Sequence, residues 1–158
     1  MEKEIRIRLK VNGRQKEIQV MPNERLVDTL REKLGLKSVK MGCLTGECGT
    51  CTIIYDGQLV KSCLILSAEA DGKEITTVEG IAKTEEMEKI KRTFAANNAF
   101  QCGFCTPAFT LLAYWLMKNK PEATNEEIEE ASNSILCRCT GYIQIIQAIR
   151  EALSLLRK

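Results

Sequence analysis

Eight cysteines and no histidine define the chemistry open to this 158-residue chain. Cys43, Cys48, Cys51 and Cys63 form one group of four, and Cys102, Cys105, Cys137 and Cys139 form a second. Without histidine there is no Ser–His–Asp or Cys–His catalysis, no mixed Cys/His zinc site and no Rieske centre, whose second iron needs two histidines. What remains for the thiols is metal ligation, disulfide formation or inert burial. The segment Met1-Glu2-Lys3-Glu4-Ile5-Arg6 has no apolar stretch after its charges, so no signal peptide is expected. No window approaches the roughly eighteen consecutive apolar residues of a membrane span. A cytoplasmic, reducing location is therefore expected, and there cysteines serve as metal ligands more readily than as disulfides. A formal charge of +2 and 5% aromatic residues leave no nucleic-acid or lipid footprint.

The first group runs Cys43-x4-Cys48-x2-Cys51, with Cys63 after eleven intervening residues. Its first three members match the plant-type [2Fe–2S] ferredoxin spacing. One loop must present three thiolates to a flat cluster while its N–H groups face the sulfurs, and Gly42, Gly46 and Gly49 supply the tight bends and close approach this needs. A four-cysteine zinc site is the alternative, but structural zinc favours paired C-x2-C hooks over three ligands in one loop. The second group, Cys102-x2-Cys105 and Cys137-x-Cys139, is separated by 31 residues and is a generic four-thiolate site. Spacing alone does not separate a cluster from zinc there.

Two kinds of element must position these groups. In the first half, Glu4–Val11 alternates charged and apolar residues, Asn12-Gly13 is a hairpin turn, and Gln15–Val20 returns as a second strand. Leu26, Leu30 and Leu34 predict an amphipathic helix over 25–34 ended by Gly35. Thr52–Tyr55 reads as a strand with Asp56-Gly57 as its turn, and Glu74–Val78 as a last strand. The second half is helical. Helices are expected over Glu85–Ala96, over Ala108–Met117 with Thr106 as N-cap and Pro107 at its first position, after a Thr124/Glu127 capping box, and from Tyr142 to Leu156. The expected fold class is α+β, with domains at 1–79 and 84–158 and a boundary near Glu79–Lys83.

The residues around the second group add what spacing lacks. Gln101-Cys102-Gly103-Phe104-Cys105-Thr106-Pro107 and Cys137-Arg138-Cys139-Thr140-Gly141-Tyr142, together with Gly42-Cys43 through Gly46-Glu47-Cys48-Gly49-Thr50-Cys51, resemble the small iron–sulfur subunit of the molybdenum hydroxylases, the xanthine dehydrogenase, aldehyde oxidase and carbon monoxide dehydrogenase family. The resemblance spans nearly the whole chain. It implies an N-terminal β-grasp [2Fe–2S] ferredoxin-like domain followed by an all-α four-helix [2Fe–2S]-binding domain. All eight cysteines become metal ligands, holding two [2Fe–2S] clusters. The chain does no substrate chemistry itself. A large partner subunit carries molybdopterin, and electrons pass to the C-terminal cluster, then the N-terminal one, then usually to FAD on a third subunit. Gln101 matches a glutamine that hydrogen-bonds the pterin, and Cys139 lies closest to that cofactor. The substrate implied is a purine, another N-heterocycle or an aldehyde. Two positions depart from the family: Ala108 stands where glycine is usual, and Ser134-Ile135-Leu136 where glycine-asparagine-leucine is usual. Different packing at the pterin-side surface is the expected consequence. The competing functions are a stand-alone two-cluster carrier and a zinc-stabilised interaction module.

Overall fold

Alternation of charged and apolar residues in the first twenty positions produces the expected hairpin. In the computed structural model, which describes residues 3–156, β1 (Ile5–Val11) pairs antiparallel with β2 (Arg14–Val20), Val11 opposite Arg14. Asn12 and Gly13 both have positive φ, 50° and 77°, the type I′ geometry that matches strand twist. Met1, Glu2, Arg157 and Lys158, the outer ends of the two expected domains, lie outside the described residues.

β3 (Thr52–Tyr55), β4 (Gln58–Lys61) and β5 (Glu74–Thr76) complete a mixed sheet in the order β2-β1-β5-β3-β4, with β5 parallel to β1. α1 (Leu26–Asp28) runs into a wider turn over Thr29–Lys33, closed by the bond from Leu34 N–H to Thr29 O at 3.0 Å. Leu26, Val27 and Leu30 are fully buried with Ile7, Leu9 and Ile53 of the sheet. A sheet folded over one helix in this strand order is the β-grasp. Two expectations need correction. The predicted helix over 25–34 is a single α-turn followed by a π-type turn, because buried Thr29 is held by Ser67 Oγ and Glu24. The predicted strand to Val78 stops at Thr76, and Val78 begins α2 (Val78–Ile81).

The second half is a helical bundle of α3 (Glu85–Ala96), α4 (Thr106–Asn119), α5 (Asn125–Ser132) and α6 (Ile143–Ser154). α4 is its core helix, with Ala108, Phe109, Leu111, Leu112, Ala113 and Leu116 buried. Thr106 is not the N-cap of α4. Cys105 is, and Thr106 is the first helical residue, its Oγ1 buried without a partner. The Thr124/Glu127 capping box is present, with Thr124 Oγ1 accepting from Glu127 N–H at 3.2 Å and Glu127 accepting from Thr124 N–H at 2.9 Å. Thr124→Ala is expected to cost about 1 kcal/mol and to lower the thermal midpoint by about 2–4 °C, with visible absorption unchanged. Among the described residues no helix is long and apolar enough to cross a membrane.

The two halves meet closely. Trp115 of α4 donates its indole N–H to Gly57 O at 2.8 Å, and Ile54 and Leu59 of the sheet pack against the helical core. These contacts bring the cysteine loop of one half against that of the other.

Candidate metal centres

The loop from Gly42 to Cys51 turns its backbone N–H groups toward sulfur. Cys43 Sγ accepts from Thr45 N–H at 3.4 Å and Cys48 N–H at 3.3 Å, and Cys48 Sγ accepts from Cys43 N–H at 3.4 Å. Thr50 Oγ1 lies 3.2 Å from Cys48 Sγ. The Cys48 amide, helped by Thr45, pulls the Cys43 thiol down to about 6. Donors converging on sulfur favour the thiolate, the form that binds metal. Cys51 and Cys63 form the other pair of this group, and burial pushes Cys51 up to about 11. Ser62 fixes that pair by donating its hydroxyl to Cys51 O at 2.8 Å. A Cβ on Gly42 would stand 2.7 Å from Cys48 Sγ, so the sulfur cradle closes only over a glycine.

The second group is also arranged two by two. Cys102 Sγ and Cys139 Sγ are 3.6 Å apart and both residues are exposed. Cys105 and Cys137 are buried, and burial beside Cys137 pushes Cys105 up to about 12. Burial raises Cys137, but hydrogen bonds from Thr140, Cys139 and Cys105 together outweigh it, so this thiol sits below its usual value; the Thr140 N–H donates to Cys137 Sγ at 3.4 Å and its hydroxyl lies 3.1 Å away. Cys105 caps α4, so that helix presents its positive end to the group.

Thiols in pairs suit a two-iron core, in which each iron takes two cysteines. Soft thiolates, backbone N–H groups aimed at sulfur and the orphaned buried hydroxyl of Thr106 next to Cys105 all fit such a core. The two groups face each other. Cys43 and Cys48 line a cavity of about 420 Å³ together with Cys102, Cys105, Cys137 and Cys139. Across the junction, Leu136 N–H donates to Cys48 O at 2.8 Å, so one hydrogen bond links a residue adjoining Cys137 to the backbone of Cys48. Gly49 permits this approach, since a Cβ there would stand 2.1 Å from Ser134 O.

Comparison with known proteins agrees with this geometry. Residues 9–80 match a family described as 2Fe-2S iron-sulfur cluster binding domain, and residues 77–150 match one described as [2Fe-2S] binding domain. The chain is 46% identical to the nicotinate dehydrogenase small FeS subunit of Eubacterium barkeri, covering 94% of each chain. The chain belongs to the small iron–sulfur subunits of the molybdenum hydroxylases. Among solved structures, quinoline 2-oxidoreductase from Pseudomonas putida 86 contains a chain with TM-score 0.89 and 38% identity, covering 98% of this chain and 96% of that one. The aldehyde oxidoreductase of Desulfovibrio desulfuricans matches at TM-score 0.88 and 37% identity, over 96% of this chain but 17% of that chain. The family's role is electron transfer within an oxidoreductase complex, with two [2Fe–2S] clusters and no substrate chemistry on this subunit.

Gln101 is exposed, directly before exposed Cys102. Ile135 is buried in the helical core and Ser134 O faces Gly49, so the Ser134-Ile135 departure sits at the junction of the two halves. Ala108, the other departure, is buried in α4. Sequence reasoning passed over Thr50, Thr140, the Tyr142 hydroxyl and the Leu136 amide. The threonines carried a signal, each standing within three residues of a cysteine. The Leu136 bond carried none.

Proposed function

We propose that Cys43, Cys48, Cys51 and Cys63 ligate the first [2Fe–2S] cluster and Cys102, Cys105, Cys137 and Cys139 the second, in units spanning 1–79 and 84–158. Cys43 and Cys48 share one iron, Cys51 and Cys63 its neighbour. In the second cluster the pairs are Cys102 with Cys139 and Cys105 with Cys137. The chain relays electrons from a molybdopterin centre on a large partner through the second cluster, then the first, to FAD on a further subunit. The observation that carries this reading is the facing of the two groups across one cavity, bridged by Leu136 N–H and Cys48 O.

The direction rests on exposure. Cys102 and Cys139 are exposed, and Phe100 and Phe104 beside Cys102 are 48% and 45% exposed. An apolar rim around a redox ligand suits burial against a partner. Gln101 then reaches the pterin from this chain, with Cys139 as the nearest ligand. The relatives named for nicotinate and quinoline favour an N-heterocyclic substrate for the partner. In the aldehyde oxidoreductase the same unit is a fraction of a longer chain, which favours a fixed subunit over a free shuttle.

The test is metal analysis and EPR of the complex purified with its partners. About four irons per chain and two distinct [2Fe–2S] signals on reduction are expected. Stoichiometric zinc without acid-labile sulfide overturns the assignment.

A further inference from the structure

Tyr142 has φ 71° and ψ −27°, the left-handed region, at the N-cap of α6, where its side chain caps nothing. An aromatic residue held there is strained, and strain of this kind persists only where surrounding contacts over-determine it. Those contacts are present. The ring stands edge-on to buried Phe109 of α4, with centroids 6.2 Å apart at 75°. The phenol oxygen accepts the Cys137 N–H at 3.0 Å. The Tyr142 N–H donates to Thr140 Oγ1 at 3.2 Å, and Thr140 Oγ1 lies 3.1 Å from Cys137 Sγ.

These bonds have a direction. A threonine hydroxyl carries one proton, and a ligand thiolate only accepts. With the Tyr142 N–H filling a lone pair of Thr140 Oγ1, the hydroxyl proton goes to Cys137 Sγ, and the two bonds polarise each other. The phenol meanwhile draws the Cys137 amide away from sulfur. The left-handed backbone of Tyr142 is what lets one residue reach both ends of the Cys137–Thr140 loop.

We propose that Tyr142 is a positioning residue that sets the reduction potential of the second cluster, by directing the Thr140 hydroxyl onto Cys137 Sγ and withholding the Cys137 amide. The inference rests on the proposed ligation by Cys137. Hydrogen bonds to cluster sulfur stabilise the reduced, more negative state and raise its potential. Thr140 supplies one such bond and the phenol withholds another, so removing each shifts the potential in opposite directions.

The experiment is EPR-monitored reduction of the full chain with its partners, wild type against T140V, T140S and Y142F. T140V is expected to lower the second cluster's potential by about a tenfold change in the reduction equilibrium, about 59 mV for one electron. T140S restores it. Y142F raises the same potential, because the Cys137 amide is freed to turn to sulfur. The first cluster's potential stays in place in all three. A T140V protein with both potentials at wild-type values, or with both shifted equally, overturns the proposal. A Y142F protein without a shift overturns the role of the phenol. If Y142F fails to assemble the second cluster, the T140V and T140S pair decides alone. Failure of the underlying ligation has a different signature: Cys137→Ser would keep full iron and both wild-type signals.

Discussion

Cys105→Ala is expected to lower bound iron from about four to about two per chain and to erase one of the two EPR signals. Cys105 is buried at the N-cap of α4, paired with Cys137. Its loss leaves one iron of the second cluster with a single thiolate. No histidine exists to substitute, and cysteines of the other group are committed to their own pairs. Electrons from the substrate of the large partner should then fail to reach the first cluster, although dithionite still reduces it. Cys63→Ala provides the reverse case. Substrate reduces the remaining second cluster, but nothing passes onward to the acceptor. Stopped-flow absorption with substrate and with dithionite separates the two variants. If Cys105→Ala still allowed substrate to reduce the first cluster, the proposed order of relay would be wrong. Because cluster binding contributes folding free energy, both variants should also unfold at lower temperature than the parent.

Gly49→Ala attacks the junction instead of a ligand. Gly49 has φ 66°, and its added Cβ would stand 2.1 Å from Ser134 O and 3.0 Å from Ile135 Cα. Both are backbone atoms, so no side-chain rotation relieves the clash. The left-handed conformation costs alanine about 1–2 kcal/mol, and displacing residues 134–136 sacrifices the Leu136 N–H bond to Cys48 O, worth about 1 kcal/mol. A loss of about 2–4 kcal/mol is expected, a large share of the stability of an ordinary domain. All eight proposed ligands remain, so iron content is expected to be retained while transfer between the clusters slows and their magnetic interaction weakens. Gly72→Ala is the control. Gly72 has φ 75° but nothing within 4 Å of a Cβ, so it adds strain without pushing the halves apart. Equal effects of the two substitutions on inter-cluster transfer would show that close approach at Gly49 is not what matters.

Much of the fold was legible because its signals are local. Asn12-Gly13 and Asp56-Gly57 have the positive φ that their residue types suggest. The Thr124 capping box formed because both partners lie within one helical turn. One error came where a residue distant in sequence intervened. Thr29 is held by Ser67 and Glu24, which turns a predicted α-helix into a wider turn after one α-turn. Thr106 has the ordinary look of an N-cap before Pro107, but Cys105 takes that place and leaves the threonine hydroxyl buried beside it. The approach of the Ser134-Ile135 backbone to Gly49 of the other half had no local signal at all.

By itself the sequence determined the kind of chemistry: eight thiols, no histidine, and short loops whose glycines and threonines stand next to cysteines. Ligand type and loop geometry are local properties, carried by residues a few positions apart. The tertiary structure alone decided that Cys51 stands with Cys63 and Cys105 with Cys137, that the two groups share a cavity, and that Leu136 reaches the Cys48 carbonyl. The physical reason is that a close approach between residue 49 and residue 134 depends on two backbones meeting across a packed junction. The packing of Ile54 and Leu59 on the helical core, with the Trp115 bond to Gly57 O, holds those backbones in place.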